Sequence, residues 1–131
     1  MSADTPQGII LFGHGARDPR WAEPFQQLAR VLRSQRAASG DPGPVALAFL
    51  ELMQPDLPTA VADQIEAGCD IVTVVPVFLG QGGHLRDDLP ALLQSCRHTH
   101  PAVEIRCTTA VGEDPSVLEA IARFCLAQIG G

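Results

Sequence analysis

The 131-residue chain has little of what nucleic-acid-binding and membrane-spanning proteins need. It contains no tyrosine and one tryptophan, and its 9 basic residues are outnumbered by 15 acidic ones, for a net charge of −6. A negatively charged surface repels nucleic acid and anionic membranes, so neither is expected as the main partner. A local group of arginines could still bind an acidic small molecule. No apolar run approaches the roughly 20 residues that a membrane span requires.

The chain also lacks the closely spaced cysteine pairs of zinc and redox motifs. Its cysteines lie far apart in apolar segments, which favours buried free thiols over disulfides or thiolate metal ligands; they are Cys69, Cys96, Cys107 and Cys125. The N-terminal MSADTPQG has no basic region followed by an apolar run, so no signal peptide is expected. These features predict a cytoplasmic protein in a reducing compartment.

Four short apolar runs alternate with four helical patterns. The runs are residues 8–13, 45–50, 71–79 and 103–110, and the third is expected to bend or end at Pro76. Strict strand–helix alternation predicts a mostly parallel sheet with helices on both faces and right-handed crossovers. The length allows a single domain, so we expect residues 1–131 to form one three-layer α/β unit.

Asp-Pro pairs and apolar periodicity mark the helices. Asp18-Pro19 and Asp114-Pro115 place a capping residue before a proline at the first helical position, and Asp56 with Pro58 opens the second helix. Gly68 closes that second helix. The apolar face of the first helix is predicted to be Trp21, Phe25, Leu28 and Leu32. That of the last is predicted to be Leu118, Ile121, Cys125 and Ile129.

Two histidines and a carboxylate follow strands, where parallel sheets bind ligands. His14 comes after the first strand, Glu51 ends the second, and His84 follows the third. In a flavodoxin-like order, with the first strand between the second and third, the outer two lie about 10 Å apart. Two imidazoles and a carboxylate leaning inward suit Co, Ni, Fe or Zn.

Glycines and arginines surround both histidines. Gly13 and Gly15 flank His14, and Gly80, Gly82 and Gly83 precede His84, which indicates an open site for a flat or bulky ligand. Arg17, Arg20 and Arg86 are candidates to bind an anion there, or are ordinary solvated loop charges.

Other interpretations are open at this point. The GQGG segment is typical of phosphate loops but lacks their Gly-Lys-Ser/Thr ending. His98 and His100 could chelate a metal, yet they precede the fourth strand and belong to the opposite edge of the sheet. A histidine phosphatase would carry arginine where this chain has Gly13.

Three segments, in order, resemble the short-form sirohydrochlorin cobaltochelatases of the class II tetrapyrrole chelatase family. They are GIILFGHGARDPR, FLELMQPDLPTAV and IVTVVPVFLGQGGHLRDDLP. The resemblance covers nearly the whole chain. It implies a flavodoxin-like (chelatase-like) domain that inserts a divalent metal, Co²⁺ foremost, into sirohydrochlorin for cobalamin synthesis, with no organic cofactor. Iron and nickel chelatases of the same family are alternatives, as is a non-catalytic metallochaperone dimer.

The resemblance also implies roles for individual residues. His14 and His84 correspond to the metal-binding pair, and Glu51 to an acidic residue for metal or proton handling. Sirohydrochlorin carries many carboxylates, which Arg17, Arg20 and Arg86 are then predicted to bind. Long-form relatives contain two such domains facing each other across a cleft, so the short form is expected to complete its cleft as a homodimer.

Overall fold

The computed structural model describes residues 5–41, 43–80 and 82–130, with only the backbone described for residues 83–85. Four strands, β1 (Gln7–Gly13), β2 (Val45–Phe49), β3 (Ile71–Pro76) and β4 (Glu104–Cys107), form one sheet in the order β2-β1-β3-β4. All three neighbouring pairs are parallel. The flavodoxin-like order and the parallel α/β sheet predicted from the sequence are therefore confirmed, and β3 ends at Pro76 as expected.

The helices are α1 (Glu23–Ala38), α2 (Leu57–Glu66), α3 (Gly83–Thr99) and α4 (Pro115–Ile129), with 3-10 turns at Pro19–Ala22 and Val111–Glu113. The three predicted caps form. The Asp56 carboxylate accepts the Thr59 backbone N–H at 2.9 Å, and Asp18 and Asp114 cap the first 3-10 turn and α4 in the same way. Gly68 follows α2 with φ +104°, the left-handed conformation that suits glycine. None of the helices in the described part of the chain is long and apolar enough to cross a membrane.

The main core lies between the sheet and the α2–α3 pair. Ile10, Phe12, Val72 and Val74 are fully buried there against Leu57 and Val61 of α2, with α3 contributing Leu89, Leu93 and Cys96. A smaller core lies on the other face, where Leu11, Ala29 and Val45 pack beneath α1. Helices thus cover both faces of the sheet, but the core on the α2–α3 side is larger than the core beneath α1.

The predicted inward face of α1 is right at three of its four positions and wrong at Leu28. Trp21 and Phe25 pack against Phe49, and Leu32 packs against the smaller core. Leu28 is 39% exposed, and Ala29, four residues after Phe25, is buried in its place. Arg36 is buried because its guanidinium pairs with Asp41 and donates to the Gln7 carbonyl.

Helix α4 departs furthest from expectation. The sequence predicted an apolar face buried against the sheet, but none of its residues is buried. Its principal contacts are with the 3-10 turn that precedes it. Cys125 is exposed and Cys107 is half buried, so the prediction of four buried thiols is right only for Cys69 and Cys96, although all four cysteines are free.

Candidate metal and tetrapyrrole site

His14 is positioned by an extension of the sheet beyond the end of β1. The Leu50 N–H donates to the Gly13 carbonyl at 2.9 Å, and the Glu51 N–H donates to the His14 carbonyl at 3.1 Å. These two bonds tie the segment after β2 to the end of β1 and place both residues at the carboxyl edge. His14 Nε2 lies 3.8 Å from Glu51 Oε2, and both side chains are about half exposed. The predicted pairing of His14 with Glu51 is thus realised in a solvent-accessible position.

Glycine is required at position 15 because the backbone of Glu51 passes close to it. Its φ is +98°, and a Cβ built on it would lie 1.8 Å from the Glu51 carbonyl oxygen. An L side chain would both strain the left-handed conformation and push the β2 extension away from β1. The absence of a side chain at Gly15 therefore sets how closely Glu51 can approach His14.

Glycine is needed at position 13 for packing, and not for the ligand access that the sequence suggested. A Cβ at Gly13 would lie 2.8 Å from the Phe25 ring. Phe25, Trp21 and Phe49 form an aromatic cluster, with the Trp21 and Phe25 ring centroids 4.7 Å apart. Gly13 thus makes room for this cluster below the edge rather than for a ligand above it.

His84 reaches the same edge from β3, on the far side of β1. Since Phe12 pairs with Pro76, the segment leaving β3 starts beside the segment that carries His14. His84 was predicted in a loop, but it lies in the first turn of α3, whose N-cap is Gly82. Its side chain and Gln81 lie outside the described part of the structure, so the predicted His14–His84 metal pair stays a prediction.

The glycines before α3 leave open space. A Cβ at Gly80 or Gly82 would have no neighbour within 4 Å among the atoms that the structure describes. Neither glycine has a positive φ, so backbone strain does not explain them. Gly83 is the first residue of α3.

The three arginines differ in what they contact. The Arg20 guanidinium pairs with Asp18 at 2.8 Å, and this hydrogen bond lowers the pKa of the Asp18 carboxyl. Arg17 is exposed and makes no ion pair with any described residue. Arg86 is exposed one turn into α3, where its backbone N–H donates to the Gly82 carbonyl. Arg17 and Arg86 are therefore better placed than Arg20 to bind an anion.

Asp88 is an acidic residue beside the end of β2 that the sequence analysis did not single out. With Leu50, Ala91 and Leu92 it lines a hollow of about 330 Å³ between the end of β2 and α3. Asp88 follows His84 by four residues, so both lie on one side of α3. The four-residue spacing between His84 and Asp88 is the signal that could have identified Asp88 from the sequence. Over the part of the chain with described side chains, no three His, Cys, Asp or Glu residues form a metal-binding group, and none forms around His98 and His100.

This sheet order and edge chemistry agree with comparisons against known proteins. The model of the family named CbiX matches residues 8–125. The chain belongs to the CbiX family. A solved structure described as a putative cobalamin (vitamin B12) biosynthesis CbiX protein from Marinobacter aquaeolei VT8 superposes with a TM-score of 0.80 at 34% identity. The match covers 95% of this chain and 98% of that one.

Two further relatives of this CbiX-family chain are longer than it is. A sirohydrochlorin cobaltochelatase of Methanopyrus kandleri is 35% identical over 85 residues, which are 65% of this chain and 57% of that protein. The chain thus matches less than two thirds of that relative. SirB from Bacillus subtilis, solved with Fe³⁺, has a TM-score of 0.64 at 25% identity, and the match covers 90% of this chain but 45% of SirB.

Proposed function

We propose that this protein is a lyase of the cobaltochelatase type, which inserts a divalent metal, Co²⁺ foremost, into sirohydrochlorin. The observation that carries the proposal is the His14–Glu51 pair, 3.8 Å apart and half exposed at the carboxyl edge. The order of β1 and β3 brings the start of α3, and with it His84, toward the same edge. The substrate is inferred from the relatives that are sirohydrochlorin cobaltochelatases.

The chemistry requires the exchange of two protons for one metal ion. The free macrocycle carries two pyrrole N–H groups in its plane, and the metallated ring carries none, so M²⁺ enters as 2 H⁺ leave. His14 and His84 hold the partly dehydrated ion with imidazole nitrogens, the ligand type that suits cobalt, nickel and iron. Glu51 lies beside His14 and accepts a proton or completes the ligand set. Rate is gained by positioning, and no covalent intermediate is needed.

The macrocycle is bound through its carboxylates and its flat face. Arg17 and Arg86 are exposed in the segments that follow β1 and β3 and bind substrate carboxylates, whereas Arg20 must first leave Asp18. The open space above Gly80 and Gly82 admits the ring edge.

We infer that the cleft is completed by a second copy of the chain. In one copy His14 and Glu51 lie open to solvent at 50% and 47% exposure, whereas chelation needs a site that holds the ring and sheds water from the metal. SirB is roughly twice as long as the matched region, which fits two copies doing what one longer chain does. Four free thiols suit a cytoplasmic, reducing location.

The test mixes purified protein with sirohydrochlorin and Co²⁺, Ni²⁺ or Fe²⁺ and follows the visible spectrum. We expect Co²⁺ insertion well above the protein-free rate, and at least a 100-fold loss in His14→Ala. His98→Ala is the matched control, since His98 lies at the opposite edge. Insertion no faster than without protein would exclude a chelatase. If equilibrium dialysis still found Co²⁺ bound in a His14-dependent way, the protein would be a metal carrier.

Iron is the second candidate metal, favoured by the SirB structure solved with Fe³⁺. The same assay decides between them by the ratio of initial rates at equal free metal concentration under anaerobic conditions.

A further inference from the structure

Leu52, the residue that follows Glu51, is held in a conformation that leucine avoids. Its φ is +66°, and among the described residues it is the only non-glycine one with a positive φ. A side chain in this left-handed region strains the backbone, so glycine or asparagine is the usual residue there. The Leu52 side chain gains little burial in return, because it is 59% exposed. Strain of this kind at the edge that carries the site indicates a role in function rather than in folding.

The loop that carries Leu52 is fixed at its base and beside its strained residue. The Phe49 N–H donates to the Pro55 carbonyl at 2.9 Å, which closes the loop. The Glu51 carbonyl oxygen lies so close to Gly15 that a Cβ there would be 1.8 Å away. That carbonyl belongs to the peptide that precedes Leu52, so the strain cannot relax without moving Glu51. The leucine side chain is therefore held in solvent by a loop that has little freedom to turn it inward.

Leu79 is a second exposed leucine at the same edge of the sheet. It lies between β3 and α3 and is 67% exposed. Its backbone packs on the 3-10 turn that precedes α4. The Gly112 N–H donates to the Phe78 carbonyl at 3.1 Å, and a Cβ on Gly112 would lie 2.1 Å from the Leu79 carbonyl oxygen. The backbone of Leu79 is thus tightly packed while its side chain is left in solvent.

The two leucines follow the strands on either side of the strand that carries His14. In the sheet order β2-β1-β3-β4, Leu52 follows β2 and Leu79 follows β3, while His14 follows β1 between them. The outer two of these three strands are about 10 Å apart. A flat tetrapyrrole centred over a metal on His14 must extend above the ends of both outer strands. Its carboxylates lie at its periphery and its face is apolar, so it calls for apolar side chains beneath the face and basic ones around it.

We propose that Leu52 and Leu79 bind the apolar face of the macrocycle on either side of His14 and hold the ring centre over the metal. This rests on the proposed function and specifies how the substrate is oriented. The leucines displace water from the ring face, and the arginines bind the carboxylates. Because both backbones are fixed before the substrate arrives, little conformational entropy is lost on binding. The strain at Leu52 is explained as well, since a glycine or asparagine there would relieve it but remove the apolar contact.

The variant Leu52→Asn separates a role in substrate binding from a role in folding. Asparagine has nearly the size of leucine and tolerates the left-handed region, so the Tm should stay the same or rise by up to about 4 °C. The dissociation constant for metal-free sirohydrochlorin, measured by absorbance titration, should rise about tenfold because an apolar contact with the ring is lost. Calorimetry should find the Co²⁺ affinity unchanged, since His14 and Glu51 stay in place. A residue that serves only folding would not combine a retained Tm with weaker substrate binding.

Two kinds of matched variant accompany it. Leu79→Asn should also weaken sirohydrochlorin binding about tenfold, whereas Leu52→Met and Leu79→Met keep an apolar side chain and should bind within about twofold of the wild type. Leu28→Asn is the control for the substitution itself, because Leu28 is exposed on α1 rather than in a loop after β2 or β3. Its affinity for sirohydrochlorin should equal that of the wild type.

The outcomes separate this inference from the proposed function. Unchanged sirohydrochlorin affinity in both Leu52→Asn and Leu79→Asn would overturn the inference, while Co²⁺ insertion by the wild type would leave the proposed function standing. A wild type that does not bind sirohydrochlorin would overturn both. Sedimentation tests a contact between copies of the chain. A dimer weakened about tenfold by Leu52→Asn, with macrocycle binding unchanged, would assign the leucines to that interface and refute their role at the ring face.

Discussion

Replacing Gly15 by alanine tests how the His14–Glu51 pair is held. The new Cβ would lie 1.8 Å from the Glu51 carbonyl oxygen, at a φ of +98°. Gly68→Ala is the matched control, since Gly68 has a φ of +104° and no described atom lies within 4 Å of its Cβ position. Gly68 follows α2 at the amino edge, away from the site. The two variants share the backbone strain and differ in the contact with Glu51.

The expected magnitudes follow from these two contributions. A non-glycine residue in the left-handed region costs about 1–2 kcal/mol, and we expect that loss in the free energy of unfolding for Gly68→Ala. Gly15→Ala adds an overpacking cost of about 1–3 kcal/mol, because the clash is with backbone and cannot be relieved by a rotamer change. One kcal/mol shifts the Tm of a chain of this size by roughly 4 °C, so Gly15→Ala should lose about 8–20 °C and Gly68→Ala about 4–8 °C.

The functional readout is the affinity for Co²⁺, measured by titration calorimetry below the Tm of both variants. Relief of the clash must move Glu51 away from His14, so Gly15→Ala should bind Co²⁺ at least tenfold more weakly. Gly68→Ala should bind it as the wild type does. Equal Tm losses in the two variants, with unchanged Co²⁺ affinity in Gly15→Ala, would refute the claim that Gly15 sets the approach of Glu51.

Two further substitutions test the site and the fold. Glu51→Gln removes the anion beside His14 while keeping its size, and we expect about 10–100-fold weaker Co²⁺ binding by calorimetry; an unchanged affinity would leave Glu51 as a proton acceptor only. Asp56→Ala should lower the free energy of unfolding by about 1 kcal/mol at pH 7, with exposed Asp63→Ala as control. Hydrogen bonds from Thr59 hold the pKa of Asp56 below its ordinary value, so this cap stabilises the fold above about pH 4. Its contribution is lost as the pH falls further, and urea denaturation at pH 7 and pH 3 should show the difference between variants shrinking.

The sheet was predictable because its signals are local. Each apolar run is short, a capping aspartate with a nearby proline precedes three of the helical segments, and alternation leaves few ways to order four parallel strands. The pairing of His14 with Glu51 followed from that order, since both residues end neighbouring strands. Topology therefore predicted which residues share an edge before any distance was known.

The errors arose where packing between elements decides the outcome. Leu28 and Ala29 are both compatible with the apolar spacing of α1, and the contacts of the helix with the sheet bury Ala29 and leave Leu28 exposed. Gly13 was assigned to ligand access, but its neighbour is the Phe25 ring, a contact between residues twelve positions apart. Apolar spacing specifies a periodicity, whereas the phase of that periodicity depends on contacts that the spacing does not contain.

Helix α4 shows the same limit on a larger scale. Its apolar spacing indicates a helix with a face for burial, yet none of its residues is buried in a single copy. The site itself is also incomplete in one copy, because His14 and Glu51 are half exposed at the carboxyl edge. In the proposed homodimer the partner covers this edge, so dilution that separates the two copies should weaken metal insertion. A specific activity that stays constant while sedimentation shows the dimer dissociating would contradict a shared cleft.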